Sequence, residues 1–567
     1  MKVKRWLWPS LITLVFIPLY FYVAIPAIHW RSGEFWGMIF ISAMVFVGSY
    51  LFINLPGTIA DKIEKVAIFL EFKKPKPKNK KSADFVYEDK SSEFSWQKLG
   101  RRVKIAVYAT GATLLTLFLI CFCTSNVLFR ASDYQEMLQV SYSDFSEDIA
   151  ELPISQIPVV DRDTAERLGS RKIGEVVELV SQFNVSSYYS QINYNNKPYR
   201  VSPLEYAGIL KWLSNRKQGI PYYVTIDMAT QETKLVELPE GMRYSPSEYF
   251  GRDLERYIRF AYPTKMFESL SFEIDDAGHP YWVMSYYDYT FGIIGGKDVE
   301  GIILVDAVSG KMNDYAVADV PQWIDQVYSA ELLVEQADNW GSLENGFLNS
   351  IFVQKGVVVT TEGYNYIAND DDVWLYTGIT SVVADESNIG FILINMRTKE
   401  AKVYMINGAE EYSAMASAEG QVQEKGYQAT FPILINVEDR PSYFLSLKDN
   451  AGLVKCYAFV SVSDYRIVGV ADTIEDAKRE YLRMLGISDS PIVGDTVTVS
   501  GTVEAIATAV KDGNTCYYIN MNGAIYIASI TVSDLLPFIG AGDVVTLMVD
   551  QNNTVTDILL GVDDGES

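Results

Sequence analysis

Residues 300–315 read EGIILVDAVSGKMNDY and carry the pattern of a β-hairpin. A glycine precedes a run of apolar residues, an aspartate begins a short turn, and a second run returns to a tyrosine. Runs rich in Val and Ile that end at Asp, Ser and Gly are typical of two strands joined by a tight turn. A single hairpin is only marginally stable in water, so the stretch predicts a larger antiparallel sheet.

The same layout recurs at residues 388–404, NIGFILINMRTKEAKVY. Two weaker copies are PYYVTIDMATQETKLVEL at residues 221–238 and SYFLSLKDNAGLVKCYAFVSVSDYRIVG at residues 442–469. Segments with helical patterning follow the copies, at residues 245–260, 320–340, 408–423 and 473–486. The recurrence predicts tandem α+β modules, in each of which a helix packs against a small antiparallel sheet.

The two strongest copies share one interval, from Gly301 to Asp306 and from Gly390 to Asn395. A hydrophobic strand that reaches Asp or Asn, then a small turn and a return strand, resembles the PepSY family of extracytoplasmic α+β domains. The resemblance implies modules that regulate secreted peptidases or mediate envelope interactions, often without catalysis. Any α+β sheet built from such hairpins would share this pattern, and that alternative stays open.

Three apolar runs of about 20 residues or more lie before these copies, which is long enough to cross a bilayer as helices. They are Trp6–Trp30, Phe35–Leu55 and Ile105–Phe129. The basic start MKVKR would also suit a cleaved signal peptide. The end of the first run has no small-x-small cleavage pattern, so we expect it to remain as a transmembrane helix.

Charge predicts the orientation of these helices. The net charge is -24, yet the first 129 residues carry about 17 basic and about 8 acidic side chains. The rest of the chain carries about 31 basic and about 64 acidic side chains. Basic residues near spans favour the cytoplasm, which places the N-terminus and the loop 62–104 inside and the large C-terminal region outside a plasma membrane. Residues 59–70 predict an amphipathic helix at the interface, and the basic loop is either an anionic-lipid contact or a solvated linker.

The predicted fold class is membrane-anchored α+β, with three transmembrane helices, tandem modules with antiparallel sheets and a small C-terminal β-barrel. The predicted segments are 1–129 with the spans, 130–160 as connector, 161–270 as a helix-rich module, 271–345 as a PepSY-like module, 346–487 as hairpin–helix units and 491–562 as the barrel. The last segment predicts about five strands, with the helix SDLLPF between the third and fourth, an order that resembles the OB-fold. Within 161–270 the pattern over 161–183 is helical, and a further helix is predicted to begin near Pro203.

Motifs for catalysis are sparse. The only histidines are His29 and His279, and the sequence has no HExxH, P-loop, CxxC or strand-linked Rossmann motif. Cys456 and Cys516 are the only cysteines outside the apolar runs, and the sequence leaves open whether they pair. A glycosidase-like carboxylate pair also stays open, because it depends on a separation that only a structure gives. No cofactor is predicted.

One stretch, TTEGYNYIANDDDVWLY, combines aromatic rings with carboxylates and is the candidate binding surface. Its candidate residues are Tyr364, Tyr366, Asp370, Asp371, Asp372 and Trp374. Oxygen clusters suit calcium, although the run lacks EF-hand spacing and no metal ligand is assigned. The alternative is a solvated turn whose side chains bond their own backbone.

These observations favour a non-enzymatic envelope scaffold, or a protein-interaction or regulatory module. Its expected partners are lipid, through the spans and the basic loop, and a protein of the envelope. Nucleic acid is disfavoured because the acidic remainder would repel phosphate. An extracytoplasmic sensor of a small ligand or cation and a surface hydrolase with paired carboxylates are the alternatives.

Overall fold

A computed structural model gives the fold of residues 4–54, 101–369, 371–382, 384–487, 497–511, 514–533, 535–549 and 553–560. The chain forms two compact units. Unit 1 comprises Met1–Phe145 and Val160–Glu410, and unit 2 comprises Ser146–Val159 and Glu411–Ser567. The predicted amphipathic helix at 59–70 and most of the basic loop 62–104 lie outside the described residues.

Three long helices carry the apolar runs: α1 (Lys4–Ala24), α2 (Gly33–Asn54) and α3 (Arg101–Ser125). Within the described part of the chain, three helical segments are long and apolar enough to cross a membrane. This agrees with the predicted number of spans and is compatible with membrane anchoring. A short helix, α4 (Val127–Gln135), follows α3 after Asn126, whose side chain accepts a hydrogen bond from the Leu128 amide and begins the new helix.

The remaining helices are shorter and connect the sheets. They are α5 (Phe145–Asp148), α6 (Arg162–Gly174), α7 (Val177–Val180), α8 (Ile209–Asn215), α9 (Leu254–Ala261), α10 (Ala330–Leu343), α11 (Glu411–Gln421) and α12 (Ile474–Met484). The predicted helix near Pro203 is wrong over its first turns, because Pro198–Tyr206 forms a strand that pairs on both sides. Cross-strand pairing there overrides the local helix-start signal, and only α8 remains of that prediction.

Three antiparallel meanders of four strands form the sheets of unit 1. The first has β3 (Ser190–Asn193), β4 (Pro198–Tyr206), β5 (Ile220–Asp227) and β6 (Thr233–Met242), with β2 (Phe183–Val185) also on β4. The second has β7 (Met266–Ile274), β8 (Pro280–Phe291), β9 (Gly295–Asp306) and β10 (Met312–Ala316). The third has β12 (Asn365–Asn369), β13 (Asp372–Ser381), β14 (Ala384–Asn395) and β15 (Ala401–Tyr404), extended by β1 (Val140–Tyr142), β11 (Val358–Thr360) and β16 (Gly408–Ala409).

The hairpin of residues 300–315 is β9–β10, and its repeat at residues 388–404 is β14–β15. Their turns have the same hydrogen bonds. Asp306 Oδ1 accepts from the amides of residues 308 and 309, and Asn395 Oδ1 accepts from those of residues 397 and 398, all within 2.8–3.0 Å. Asp227 caps the β5–β6 turn in the same way. The recurring Asp or Asn is therefore explained by the turn it closes.

The recurring glycines have an equally local cause. A Cβ atom on Gly301 would overlap the carbonyl oxygen of Tyr315, and one on Gly390 would lie 2.6 Å from that of Tyr404. Both positions are far inside van der Waals contact, so the return strand can approach only a glycine. The shared interval in the sequence thus encodes the same close backbone approach in two sheets.

Unit 2 contains a fourth meander and the C-terminal sheet. The meander has β18 (Ile433–Val437), β19 (Arg440–Lys448), β20 (Val454–Ser461) and β21 (Val468–Ala471), with β17 (Gln428–Ala429) on β19. Helix α12 begins as predicted at Thr473, which accepts from the Asp476 amide, and Gly486 follows it with a φ of 73°. A Cβ on Gly469 would overlap the Tyr481 amide nitrogen, so α12 rests directly on β21.

The C-terminal sheet has five antiparallel strands in the order β24-β23-β22-β25-β26. They are β22 (Val497–Lys511), β23 (Asn514–Met521), β24 (Ala524–Ser529), β25 (Val544–Val549) and β26 (Val555–Leu560). Short 3-10 turns lie between the third and fourth strands, where a helix was predicted. A single bridge, Ile527 with Thr554, joins the outer strands, so the described residues form a half-barrel and a closed OB-like barrel is not confirmed.

Candidate functional site

The apolar helices contact the second meander at one end of its strands. Ser125, the last residue of α3, accepts hydrogen bonds on Oγ from the amides of Ile293 and Ile294, at 2.9 and 3.0 Å. These two residues form the β8–β9 turn. Arg31, between α1 and α2, pairs with Asp288 at 3.0 Å and also donates to the Tyr289 carbonyl at 2.8 Å. The ends of the helices are thus fixed to the sheet by side-chain contacts as well as by the chain.

The opposite end of β8 lies far from these contacts. Its 12 residues from Pro280 to Phe291 correspond to roughly 35–40 Å at the usual rise per residue of a strand. Three hairpin turns meet at this far end, and we call them the turn face: residues 194–197, 275–279 and 371 of the first, second and third meanders. The Tyr223 hydroxyl donates to the Gly278 carbonyl at 2.8 Å, which joins the first meander to the second turn.

The turn face has more acidic than basic residues, with Asp275, Asp276 and Asp371 against Lys197. Asp276 and Asp371 are exposed in adjacent turns, and partial burial, then the negative charges of Asp276 and Asp372, raise the pKa of Asp371. Gln322 donates to Asp371 Oδ2 at 3.3 Å. Asp371 has a φ of 66°, a left-handed conformation that Asp tolerates in turns. Two carboxylates from different sheets therefore share one exposed surface.

The candidate residues predicted from the sequence lie on both sides of the third turn. The rings of Tyr364 and Tyr366 meet edge to face at 66°, with centroids 5.7 Å apart, and both side chains are half-buried. Trp374 is buried and donates its indole N–H to the Asn369 carbonyl. Asp371 is exposed, and Asp370 lies outside the described residues. The structure therefore places Asp371 at the surface, the two tyrosines half-buried beside it, and the Trp374 indole inside the sheet.

Asp372 differs from its exposed neighbour because its carboxylate is fully used inside the protein. Arg397 donates from Nε to Oδ1 at 2.7 Å and from Nη2 to Oδ2 at 2.8 Å, and the Asn395 amide also donates to Oδ2. Such a bidentate pair is geometrically specific. Asp372 is 7% exposed, so this pair connects the two hairpins of the third meander from within. No metal-binding group of three or more His, Cys, Asp or Glu is found among the described residues.

Two further carboxylates, Glu273 and Asp325, form a buried pair behind the turn face. Glu273 accepts from the amides of Asp325 at 2.8 Å and Gln326 at 3.1 Å, and from the Ser271 hydroxyl. Asp325 Oδ2 accepts from the amide of Asn193, in the first meander, at 2.7 Å. The pair therefore links two meanders through backbone donors.

Burial controls the ionisation of this pair. It raises the pKa of Glu273 to about 7, and burial followed by the charge of Glu273 raises the pKa of Asp325 well above its usual value. Asp325 Oδ1 and Asn193 Oδ1 are both buried without a hydrogen-bond partner. A proton on Asp325 would turn one of its acceptors into a donor and would remove the buried negative charge.

Sequence reasoning missed Glu273 and Asp325, because each stands among ordinary acids of an acidic chain. Glu273 lies inside strand β7, and no strand was predicted there that would have shown an inward carboxylate. With 0% and 1% exposure, the two carboxylates cannot meet a substrate without opening of the sheets. The pair therefore does not serve as the accessible carboxylate pair that a glycosidase needs.

Unit 2 has a separate cavity of about 270 Å³, lined in part by Lys425, Cys456 and Asp472. The Cys456 thiol donates to Asp472 Oδ1 at 3.1 Å. Burial, then Asp472, raises the pKa of Cys456 to about 11, so the thiol is protonated and a poor nucleophile. Cys456 and Cys516 are both free thiols, which answers the open question of their pairing.

No protein-family model matches the chain, and no curated protein matches it. An exo-1,5-alpha-L-arabinanase from a bovine ruminal metagenomic library is 12% identical, with a TM-score of 0.15 over 67% of this chain and 99% of that one. A mutant levansucrase of B. megaterium is 9% identical, with a TM-score of 0.18 over 74% and 97%. An ACO/RPE65 chimera is 9% identical with a TM-score of 0.13, and the match spans 67% of this chain and 62% of that one. These TM-scores are too low to assign a fold or a function.

Proposed function

We propose that the protein is a membrane-anchored, non-enzymatic scaffold of the cell envelope that binds a protein partner through the turn face. The observation that carries this proposal is the arrangement of unit 1. The apolar helices contact one end of the second meander, through Ser125 and Arg31, and the three turns meet at the other end. A surface held roughly 25–40 Å from these anchoring contacts, counted along β8, is suited to meeting a partner outside the membrane.

The chemistry of the turn face favours a basic partner. Asp276 and Asp371 are exposed there, and the chain has a net charge of -24. Complementary charge accelerates encounter and selects partners, although exposed charges contribute little affinity by themselves. The half-buried Tyr364 and Tyr366 behind the turn add a rigid aromatic support. We prefer this function to cation sensing because both Asp372 oxygens are occupied by protein donors.

The membrane orientation belongs to the same proposal. The N-terminus and the basic loop face the cytoplasm, and the sheets of unit 1 and all of unit 2 lie on the extracytoplasmic side of a plasma membrane. Support comes from the lysines and arginines near the ends of the apolar runs. The PepSY-like and OB-like resemblances belong to the proposal as well. Local turn geometry is enough to explain the recurring glycine and the recurring Asp or Asn, so these residues do not by themselves identify a family.

Photo-crosslinking in intact cells tests the proposal. A photoreactive amino acid is placed at Ala277, an exposed residue of the turn face, in the full-length chain. The matched control places it at Arg167, which is exposed in α6 and outside the three turns. We expect one defined protein adduct at Ala277 that weakens in the double variant Asp276→Lys, Asp371→Lys. Equal adducts at both positions, or none at Ala277, would contradict binding at the turn face.

A further inference from the structure

A cluster of exposed apolar side chains lies on α8 and the loop before α9, in the first meander of unit 1. Leu210 is 73% exposed and Phe250 is 61% exposed, and Ile209 and Leu213 are each about half exposed. Residues 209, 210 and 213 share one face of a helix by their spacing. We call these four residues the α8 patch. Exposed apolar clusters of this kind mark surfaces that contact protein or membrane.

The helix has a rigid support beneath the patch. Trp212 is buried, and its indole donates to Glu248 Oε2 at 2.6 Å. The rings of Trp212 and Phe250 lie 5.8 Å apart. Arg252 donates to the Arg216 carbonyl at the end of α8, at 2.7 Å. The exposed side chains are therefore presented by an anchored helix.

The charge along α8 is opposite to that of the chain as a whole, whereas Phe250 is followed by both acids and arginines, Arg252, Asp253, Glu255 and Arg256. Residues 208–221 contain Lys211, Arg216 and Lys217 and no acid, whereas the net charge of the protein is -24. Arg216 and Lys217 are exposed. Apolar residues flanked by lysine and arginine suit the interface of a membrane that contains anionic lipids.

The patch is also continuous with the end of the first apolar helix. Arg256 donates from Nε to the Tyr22 carbonyl at 3.0 Å and from Nη1 to the Phe250 carbonyl at 3.0 Å. Phe260, 54% exposed, packs against Phe21 with ring centroids 5.3 Å apart. One arginine thus joins the patch to the last turns of α1, where that helix would leave the bilayer.

We propose that the α8 patch inserts into the outer leaflet of the membrane and that its basic residues bind anionic lipid headgroups there. Leu210, Leu213 and Phe250 enter the acyl region, while Arg216 and Lys217 lie at headgroup level. The proposal rests on the proposed membrane anchoring. It adds a second attachment that fixes the tilt of the first meander relative to the bilayer.

Lipid quenching in nanodiscs tests this contact with the full-length chain. Cys121 and Cys123 are replaced by alanine, and an environment-sensitive fluorophore is attached at Leu210→Cys; the native Cys456 and Cys516 are buried. The discs contain acyl-brominated phosphatidylglycerol or acyl-brominated phosphatidylcholine. We expect about twofold or stronger quenching in phosphatidylglycerol, and weaker quenching in phosphatidylcholine.

Two further labels separate the possible failures. A label at Leu117→Cys in α3 reports insertion of the spans, and a label at Ala277→Cys on the turn face should stay unquenched. Quenching at residue 117 with none at residue 210 overturns the inference while the anchoring stands. Absence of quenching at residue 117 overturns both.

A charge variant tests the lipid specificity. Arg216→Glu with Lys217→Glu should reduce quenching at residue 210 in phosphatidylglycerol to the level seen in phosphatidylcholine. Emission at residue 210 that is shifted to the blue but insensitive to bromine in either lipid would indicate a protein occupant, such as a second copy of the chain. That result would also overturn the inference.

Discussion

Replacement of Asp325 by asparagine should make the protein more stable above neutral pH. The carboxylate is buried, one of its oxygens has no hydrogen-bond partner, and Glu273 lies beside it. Asparagine keeps the oxygen that accepts from the Asn193 amide and replaces the orphaned oxygen by a donor. The change therefore removes a buried ionisable group and keeps the hydrogen bond that it accepts from the first meander.

The sign follows from the direction of the pKa shifts. Burial raises the pKa of Glu273 from 4.5 to about 7 and raises that of Asp325 well above 3.8. A group with a higher pKa in the folded state binds more protons when folded. Its stabilisation is fully present below the unfolded pKa and is lost as pH rises through the folded pKa. For Glu273 alone the loss between about pH 4 and pH 8 is about 3 kcal/mol, at 1.36 kcal/mol per pKa unit.

Asp325 adds to this loss in the wild type and cannot do so in the variant. We expect the Asp325→Asn protein to lose less stability between pH 5 and pH 8. At pH 8 it should exceed the wild type by about 1–3 kcal/mol, the usual cost of a buried polar group without a hydrogen-bond partner. Unit 1 is a large unit, with an unfolding entropy of about 0.8 kcal/mol/K, so that difference corresponds to a melting temperature higher by roughly 1–4 °C.

Thermal unfolding of the full-length protein in detergent, followed by tryptophan fluorescence from pH 5 to pH 8, measures the effect. Asp276→Asn, an exposed carboxylate of the turn face, controls for the loss of one negative charge. Equal pH slopes in wild type and Asp325→Asn would refute the reasoning, since they would mean that Asp325 titrates alike in the folded and unfolded chains. A variant less stable at both pH values with an unchanged slope would refute it equally.

Three other substitutions test packing and pairing. Gly469→Ala should cost about 1–3 kcal/mol by forcing α12 away from β21, whereas Gly420→Ala, with open space around it, should be neutral or stabilising in thermal melts. Arg397→Met leaves Asp372 as an uncompensated buried charge and should cost about 3–5 kcal/mol in the same melts, which a loss below 1 kcal/mol would contradict. Ser125→Ala removes the acceptor of two turn amides and should speed hydrogen exchange of the β8–β9 turn; unchanged exchange would show that the contact is not maintained.

Sequence periodicity and turn residues determined much of the local architecture. The three apolar runs appear as long helices, and the repeated hairpins form at both strong and both weak copies. Local rules suffice there because an Asp or Asn bonds the turn that it begins, and because a glycine permits the return strand to approach. The helix predicted near Pro203 is the counterexample, since strand pairing overrode a good helix start.

Only the tertiary structure determined which polar groups are buried together. Asp371 and Asp372 are neighbours in the chain, yet one is exposed and the other is held by Arg397 inside the sheet. Glu273 and Asp325 are 52 residues apart and meet because the chain after the second meander returns to its first strand. Strand alternation and distant pairing set burial, and burial in turn sets the ionisation of these acids. The sequence shows that these acids are present, but only the fold shows which of them are buried away from water and therefore have raised pKa values.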